Sequence, residues 1–94
     1  MLTDEMFLGE KQVKMIEFKR TDNVAISAAF LSVQNPDGGW EEEGRHIGFD
    51  NAGVVNFWFE PKVTGTYNLE IKVQYQDTQS WIEPMRIVVR GGRE

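Results

Sequence analysis

Residues 63–75 read VTGTYNLEIKVQY and carry the strongest strand signal of the 94-residue chain. Every second position from residue 67 onward is apolar, and polar side chains fill the positions between. The apolar set is Tyr67, Leu69, Ile71, Val73 and Tyr75. Since side chains at period two share one face of a strand, this stretch predicts a strand with one buried and one solvated face.

The entry to this strand, Gly65-Thr66-Tyr67, indicates which kind of β-fold it belongs to. In immunoglobulin-like sandwiches a tyrosine near the start of a late strand bonds through its hydroxyl to the backbone just upstream, an arrangement called a tyrosine corner. Glycine can supply the unusual torsion that such a turn needs. We therefore expect Tyr67 to be buried, with its hydroxyl bonded to the backbone of residues 61–64.

Outward from this strand, five further stretches have strand-like patterns and are separated by turn clusters rich in Gly, Pro, Asp and Asn. They are residues 12–19, 25–34, 45–49, 54–60 and 81–90. Residues 25–34 also allow a helix because of their alanines, but the turn at 36–39 ends the run at strand length. Pro84 predicts an edge or a bulge at the start of the last strand. The pattern predicts an all-β fold, an immunoglobulin-like antiparallel β-sandwich of about seven strands, with the last three as strands E, F and G.

Length and composition suit one domain over residues 1–94. We expect residues 1–10 to form an N-terminal arm or an extra edge strand, and residues 91–94 a flexible tail. The net charge of -5 argues against nucleic acid as a partner. The start of the chain lacks a signal-peptide pattern, and no stretch is long and apolar enough to cross a membrane. We therefore expect synthesis in the cytoplasm and no membrane partner.

Catalytic and metal-binding patterns are weak. The chain has no cysteine and one histidine, His46, which excludes disulfides and the usual zinc clusters. Ser27, Ser32 and Ser80 are not in a nucleophile-elbow context. We therefore predict no catalytic residues, no metal site, no cofactor and no enzymatic activity.

Acidic turn residues offer a calcium site as an alternative, because calcium prefers six to eight oxygen ligands. They come from two turns that could meet at one end of a sandwich: Asp37, Glu41, Glu42, Glu43, Asp50 and Asn51. The spacing matches no EF-hand loop, so we interpret these side chains as hydrated turn residues.

The three tryptophans, Trp40, Trp58 and Trp81, are the candidate interaction surface. Trp58 is out of phase with the inward-facing residues of its strand, and the other two lie at loop edges. Exposed aromatics are typical of binding surfaces. One alternative is that residues 1–8 cover Trp58. Another is that the indoles form a sugar-binding platform, as in a carbohydrate-binding or adhesin-type module.

Several segments together resemble the short immunoglobulin-like accessory proteins of tailed bacteriophages and prophages. The resemblance runs from Leu8 to Gly92 through LGE, ISAAFLSV, PDGG, VVNFWFEP, GTYNLEIKV and MRIVVRGG. It implies a non-enzymatic virion structural protein of the head, neck or tail, acting by protein-protein interaction with copies of itself, as a homo-oligomer, or with other virion components. It carries no catalytic residues over to this chain.

Overall fold

The structure of the chain is a computed structural model that describes residues 2–91. The described residues form eight strands: β1 Leu2–Phe7, β2 Gln12–Glu17, β3 Ile26–Gln34, β4 Trp40–His46, β5 Gly48–Phe49, β6 Val54–Phe59, β7 Gly65–Tyr75 and β8 Ser80–Arg90. Most of the expected flexible tail, residues 92–94, lies outside the described part. No helix long and apolar enough to cross a membrane occurs in residues 2–91.

The strands form two packed sheets, and the prediction of an all-β sandwich is confirmed. The larger sheet has the order β1-β8-β7-β3-β4, and the smaller sheet has the order β2-β6-β5. Strands β6, β7 and β8 take the E, F and G positions of an immunoglobulin-like fold, as predicted. The strand count is eight where about seven were expected. Only the pairing of β1 with β8 is parallel among the described strands.

The prediction of a single short strand at residues 45–49 was wrong. Strand β4 begins at Trp40 and belongs to the larger sheet, while β5 belongs to the smaller one. The chain changes sheets at Ile47, whose N–H donates to the Ala29 carbonyl at 3.0 Å. Gly44, at φ +62°, lies where the register between β3 and β4 shifts. As an edge strand with a bulge, β4 lacks the regular apolar alternation on which the sequence prediction relied.

The core lies between the sheets and is built from alternate positions of the inner strands. Seventeen apolar side chains are buried there: Met6, Phe18, Ile26, Ala29, Leu31, Val33, Val55, Phe57, Phe59, Tyr67, Leu69, Ile71, Val73, Tyr75, Met85, Ile87 and Val89. The five alternating apolar residues of β7 are all in this set, so the period-two reading of that strand is confirmed.

Both tyrosines of the chain lie on β7, one near each end, and both form hydrogen bonds outside that strand. The Tyr67 hydroxyl accepts from the backbone N–H groups of Lys62 at 3.0 Å and Val63 at 3.2 Å. The Tyr75 hydroxyl donates to the carbonyl of Phe18 at 2.7 Å, just beyond β2. Burial raises the pKa of Tyr75 above its ordinary value. These bonds connect β7 at both ends to segments that leave the smaller sheet.

Position 65 requires glycine because of both its backbone torsion and the space around it. Its φ is +123°, a region that other residues rarely adopt. A Cβ atom there would lie 2.7 Å from Cβ of Pro36 in the neighbouring turn. Glycine therefore lets the β3–β4 turn approach the start of β7 beside the Tyr67 hydrogen bonds.

A buried lysine joins the sheets on the side where β1 and β2 lie. Lys14 on β2 is 6% exposed and shares its face with Ile16 and Phe18. Its ammonium donates to the carboxylate of Asp4 on β1 and to Oε1 of Gln12 at 2.7 Å. The hydrogen bond from Lys14 lowers the pKa of the Asp4 carboxyl below its ordinary value. The ion pair therefore connects β2 to the edge strand of the larger sheet.

Pro84 lies where the pairing of β8 changes. Strand β1 pairs with β8 only from Met85 onward, so residues 80–84 of β8 form a free edge. The Arg90 carbonyl accepts a hydrogen bond from the N–H of Leu8. The backbone N–H and C=O groups of the even-numbered residues of β8 therefore point toward β1, and those of the odd-numbered residues point toward β7. The N–H that proline lacks would point toward the β1 side, where β8 has no partner at residue 84, so Pro84 does not interrupt the hydrogen bonds to β7. The predicted edge at this proline is confirmed.

We expect Tyr67→Phe to lower the free energy of unfolding by about 1 to 3 kcal/mol, because two backbone N–H groups would lose their acceptor. Urea unfolding followed by circular dichroism measures the change. Trp81→Phe, a similar change at an exposed aromatic, is the control and should have little effect. Equal stability of Tyr67→Phe and the wild type would contradict a structural role for these bonds.

Asp4 should make stability depend on pH in the acid range. Because its pKa is lower in the folded chain, its contribution is present above the unfolded value of about 3.9 and is lost as the pH falls through the folded value. Urea midpoints of the wild type and Asp4→Asn should therefore differ at neutral pH and converge in acid. A constant difference at every pH would contradict this role.

Candidate interaction surface

The structure places the three candidate tryptophans on different surfaces. Trp58 lies on the outer face of the smaller sheet and is 59% exposed. Trp40 begins β4 opposite Gln34, whereas Trp81 lies opposite Val73, near the other end of the larger sheet. Trp81 and Val73 point to the inner side of that sheet. The three indoles therefore do not share one plane.

Trp58 belongs to a continuous apolar area that also includes Val13 and Met15. These three residues form what we call the small-sheet face. Val13 is 42% exposed and Met15 68% exposed. Val13 lies directly opposite Trp58 in the β2–β6 pairing, and Met15 is diagonal to it, within reach of a long side chain. The face thus presents an aromatic and two aliphatic side chains to solvent at adjacent positions.

The alternation of β2 and β6 explains why these side chains point outward. In β6, Val55, Phe57 and Phe59 are buried, which forces Trp58 to the opposite side. Strand β2 behaves in the same way, with Lys14 turned inward between Val13 and Met15. The sequence indicated the outward direction of Trp58. Val13 and Met15 were not predicted to belong to the interaction surface, although both lie on the face opposite Ile16. The signal that could have found them is a pair of apolar residues at positions expected to face solvent.

Residues 2–8 do not cover this face. Leu2–Phe7 pair with β8 in the larger sheet, and Met6 is fully buried there. The Lys11 ammonium is 5.2 Å from the centroid of the Trp58 ring, in a cation–π arrangement. The alternative in which residues 1–8 bury Trp58 is therefore not seen in the described residues.

A groove of about 260 Å³ lies beside the small-sheet face, between the end of β6 and the edge strand β4. Leu31, Val33 and Phe59 contribute its apolar lining. Charged side chains line it in pairs, since Glu42 Oε2 lies 2.7 Å from Arg45 Nε and Lys62 Nζ lies 3.3 Å from Glu60 Oε1. The charges of these pairs balance, so the groove has no strong preference for an ion.

The two acidic turns of the calcium-site alternative do not meet at one end of the sandwich. Asp37 is in the turn beside Gly65, at the start of β7, whereas Asp50 lies in the turn whose Gly53 carbonyl accepts from Phe18 N–H, near Tyr75 at the end of β7. The turns are separated because β4 and β5 carry the chain along the length of the sandwich between them. Each carboxylate accepts hydrogen bonds from its own turn. No cluster of potential metal ligands occurs among residues 2–91.

The residues considered for catalysis also have ordinary contacts. The His46 ring packs against Phe30, with centroids 4.6 Å apart. The Ser27 hydroxyl donates to the Gln74 carbonyl, and the Ser32 hydroxyl accepts from Gly44 N–H. These contacts connect neighbouring strands of the larger sheet and bring no nucleophile to a base.

No protein-family model matches the chain, and no curated protein matches it. Solved structures do. CopC from Methylosinus trichosporium OB3b is 13% identical with a TM-score of 0.69, over 100% of this chain and 89% of that chain. The Lin-41 filamin domain is 18% identical with a TM-score of 0.63, covering 92% and 82% of the two chains. The PKD domain from the KIAA 1837 protein is 18% identical with a TM-score of 0.59, covering 99% and 84%. At these identities the similarity is one of fold, and it places this chain among immunoglobulin-like β-sandwiches.

Truncating neighbours on β6 should separate the surface from the core. Phe57→Ala should cost about 3 to 5 kcal/mol of folding stability, because it leaves a cavity between the sheets. Trp58→Ala should cost less than about 1 kcal/mol, since most of its ring is in solvent. Urea unfolding of the dilute proteins measures both. A loss at Trp58 as large as that at Phe57 would show that the indole is part of the core.

Proposed function

We propose that this protein is a non-enzymatic interaction domain that binds a protein partner through the small-sheet face. The observation that carries the proposal is the exposure of Val13, Met15 and Trp58 side by side on the outer face of a sheet. An outer sheet face in a small sandwich is normally polar, because alternation sends the apolar residues to the core. Tryptophan is among the residues most enriched in protein-binding hot spots, and methionine is enriched at protein interfaces.

Charge and geometry favour a protein over other ligand classes. The net charge of -5 disfavours nucleic acid. A sugar platform needs two indoles on one plane, and the three indoles of this chain lie on different surfaces. By analogy of fold, filamin-type and PKD-type sandwiches are interaction modules, which supports the same class of function.

The finer proposal is that the domain acts as an accessory protein of a prophage virion, in the head, neck or tail. Its support is the resemblance of the segments between Leu8 and Gly92 to such proteins. Genes for portal, capsid or tail proteins next to its reading frame would support this setting, whereas metabolic neighbours would contradict it.

Cross-linking and mass spectrometry of the tagged protein in the cells that encode it would test the proposed function. We expect the wild type to cross-link to a protein partner, which is a second copy or another chain. Trp58→Ala should lose that partner, because truncating an anchoring tryptophan typically costs about 2 kcal/mol or more of binding. Trp81→Ala, which removes an equally exposed indole from another surface, should retain it. Equal recovery from all three proteins would contradict the proposal.

A further inference from the structure

We propose that a second copy of this chain adds antiparallel to the free edge of β2, so that Val13 and Met15 of the small-sheet face contact their counterparts and the smaller sheet is extended across a two-fold axis. The inference rests on the proposed function, because it names the partner of the same surface. It commits to an edge and to a register, both of which follow from the pairing of β2 with β6.

The backbone of β2 has one satisfied side and one free side. Phe18 N–H donates to the Gly53 carbonyl, so the backbone groups of Phe18 point toward the β6 side. Hydrogen-bonded pairs alternate along an antiparallel ladder, so Gln12, Lys14 and Ile16 direct their backbone groups to β6. The residues between them, Val13, Met15 and Glu17, direct theirs away from β6. The edge therefore offers three N–H and three C=O groups in a row.

The other strand edges among residues 2–91 are less suited to pairing. Strand β4 contains a bulge at Gly44 and three consecutive glutamates. Strand β5 has two residues, and the free part of β8 ends at Pro84. On β1, the outer strand of the larger sheet, Glu5 N–H donates to Asp4 Oδ1 and Phe7 N–H donates to Glu10 Oε1, so side chains already occupy these backbone groups. Bulges, charges, short strands and proline are the usual means by which edges are protected from pairing. Strand β2 has regular register over its six residues, and the apolar small-sheet face lies directly beside its free edge.

One register makes this edge complementary to itself. With Val13 opposite Met15 of the second copy, the two-fold axis passes through Lys14, and Lys11 lies opposite Glu17 of the second copy. The apolar pair and the ion pair each occur twice, once on either side of the axis. Cross-strand apolar and opposite-charge pairs both stabilise antiparallel ladders. Shifting the two strands by one step to place Met15 opposite Met15 would put Val13 against Glu17 and Lys11 against Lys19. The register centred on Lys14 therefore fits better.

Lys14 limits how tightly the two copies associate. In this register the two Lys14 side chains face each other on the inner side of the joined sheet, where like charges oppose pairing. Each ammonium keeps its own counter-charge, Asp4. An inward-pointing lysine on an edge strand is also a known device against uncontrolled edge pairing. We therefore expect a weak, reversible dimer and not an open aggregate.

Sedimentation equilibrium from about 10 µM to about 1 mM, in low and physiological salt, tests the dimer and its register. The wild type should dimerise reversibly. Lys11→Glu and Glu17→Lys should each weaken the dimer about tenfold, because two attractive pairs become repulsive. The double variant should return to within about twofold of the wild type. Lys19→Glu is the matched control, since Lys19 lies opposite Gly9 in this register and should have no effect.

Amide hydrogen exchange supplies an independent readout. Exchange at Val13, Met15 and Glu17 should slow as the protein concentration rises, while Gln12, Lys14 and Ile16 should be protected at all concentrations. A monomer at every concentration would overturn the inference, and if Trp58→Ala still lost a partner in cells, the proposed function would stand. A dimer that is insensitive to charge reversal at Lys11 and Glu17, or that is not restored in the double variant, would also overturn it.

Discussion

The arrangement of the two sheets depends on the hydrogen bonds that the hydroxyl groups of Tyr67 and Tyr75 form. Strand β7 lies in the centre of the larger sheet, and its inner face supplies five core side chains. Tyr67 binds the backbone of the loop that leaves β6, and Tyr75 binds the carbonyl that follows β2. Hydrophobic packing alone would allow two sheets to slide over each other, because it is not directional. Directional bonds near both ends of one strand fix the relative position of the two sheets.

The unequal width of the sheets determines where the proposed interaction surface lies. Five strands face three, and β5 spans only two residues, so the smaller sheet covers the core with little to spare. Its edge strand β2 is consequently both a wall of the core and a boundary of the surface. The same six residues present Lys14 inward and Val13 and Met15 outward. A binding surface built on regular strands has a defined geometry, which suits recognition by a partner that needs a fixed register.

Lys14 shows how one residue can serve both stability and specificity. Burying an ammonium is costly unless it is paired, and Asp4 together with Gln12 supplies that pairing across the sheets. The ion pair holds the N-terminal strand to the smaller sheet, so the protein does not depend on apolar packing of β1 alone. At the same time, a charge on the inner side of an edge strand opposes indiscriminate addition of other strands. The exposed apolar residues beside it are thereby kept from becoming a site of aggregation.

Local sequence patterns determined the strands and their buried faces, whereas tertiary packing decided which strands and which surface residues became neighbours. Period-two alternation in residues 54–60 and 67–75 was sufficient to predict strands, their buried faces and the outward direction of Trp58, since each follows from backbone geometry. The hydroxyl bond of Tyr67 was predicted from the Gly65-Thr66-Tyr67 entry, which resembles the tyrosine corner of immunoglobulin-like sandwiches. The sequence did not reveal that β4 and β5 lie in different sheets, that the acidic turns lie at opposite ends, or that Val13 and Met15 join Trp58. Those facts depend on which strands become neighbours, and neighbours are chosen by the closure of the whole core, to which residues distant in sequence contribute together. Val13 and Met15 became part of the proposed binding surface only because the fold places the Trp58 indole beside them.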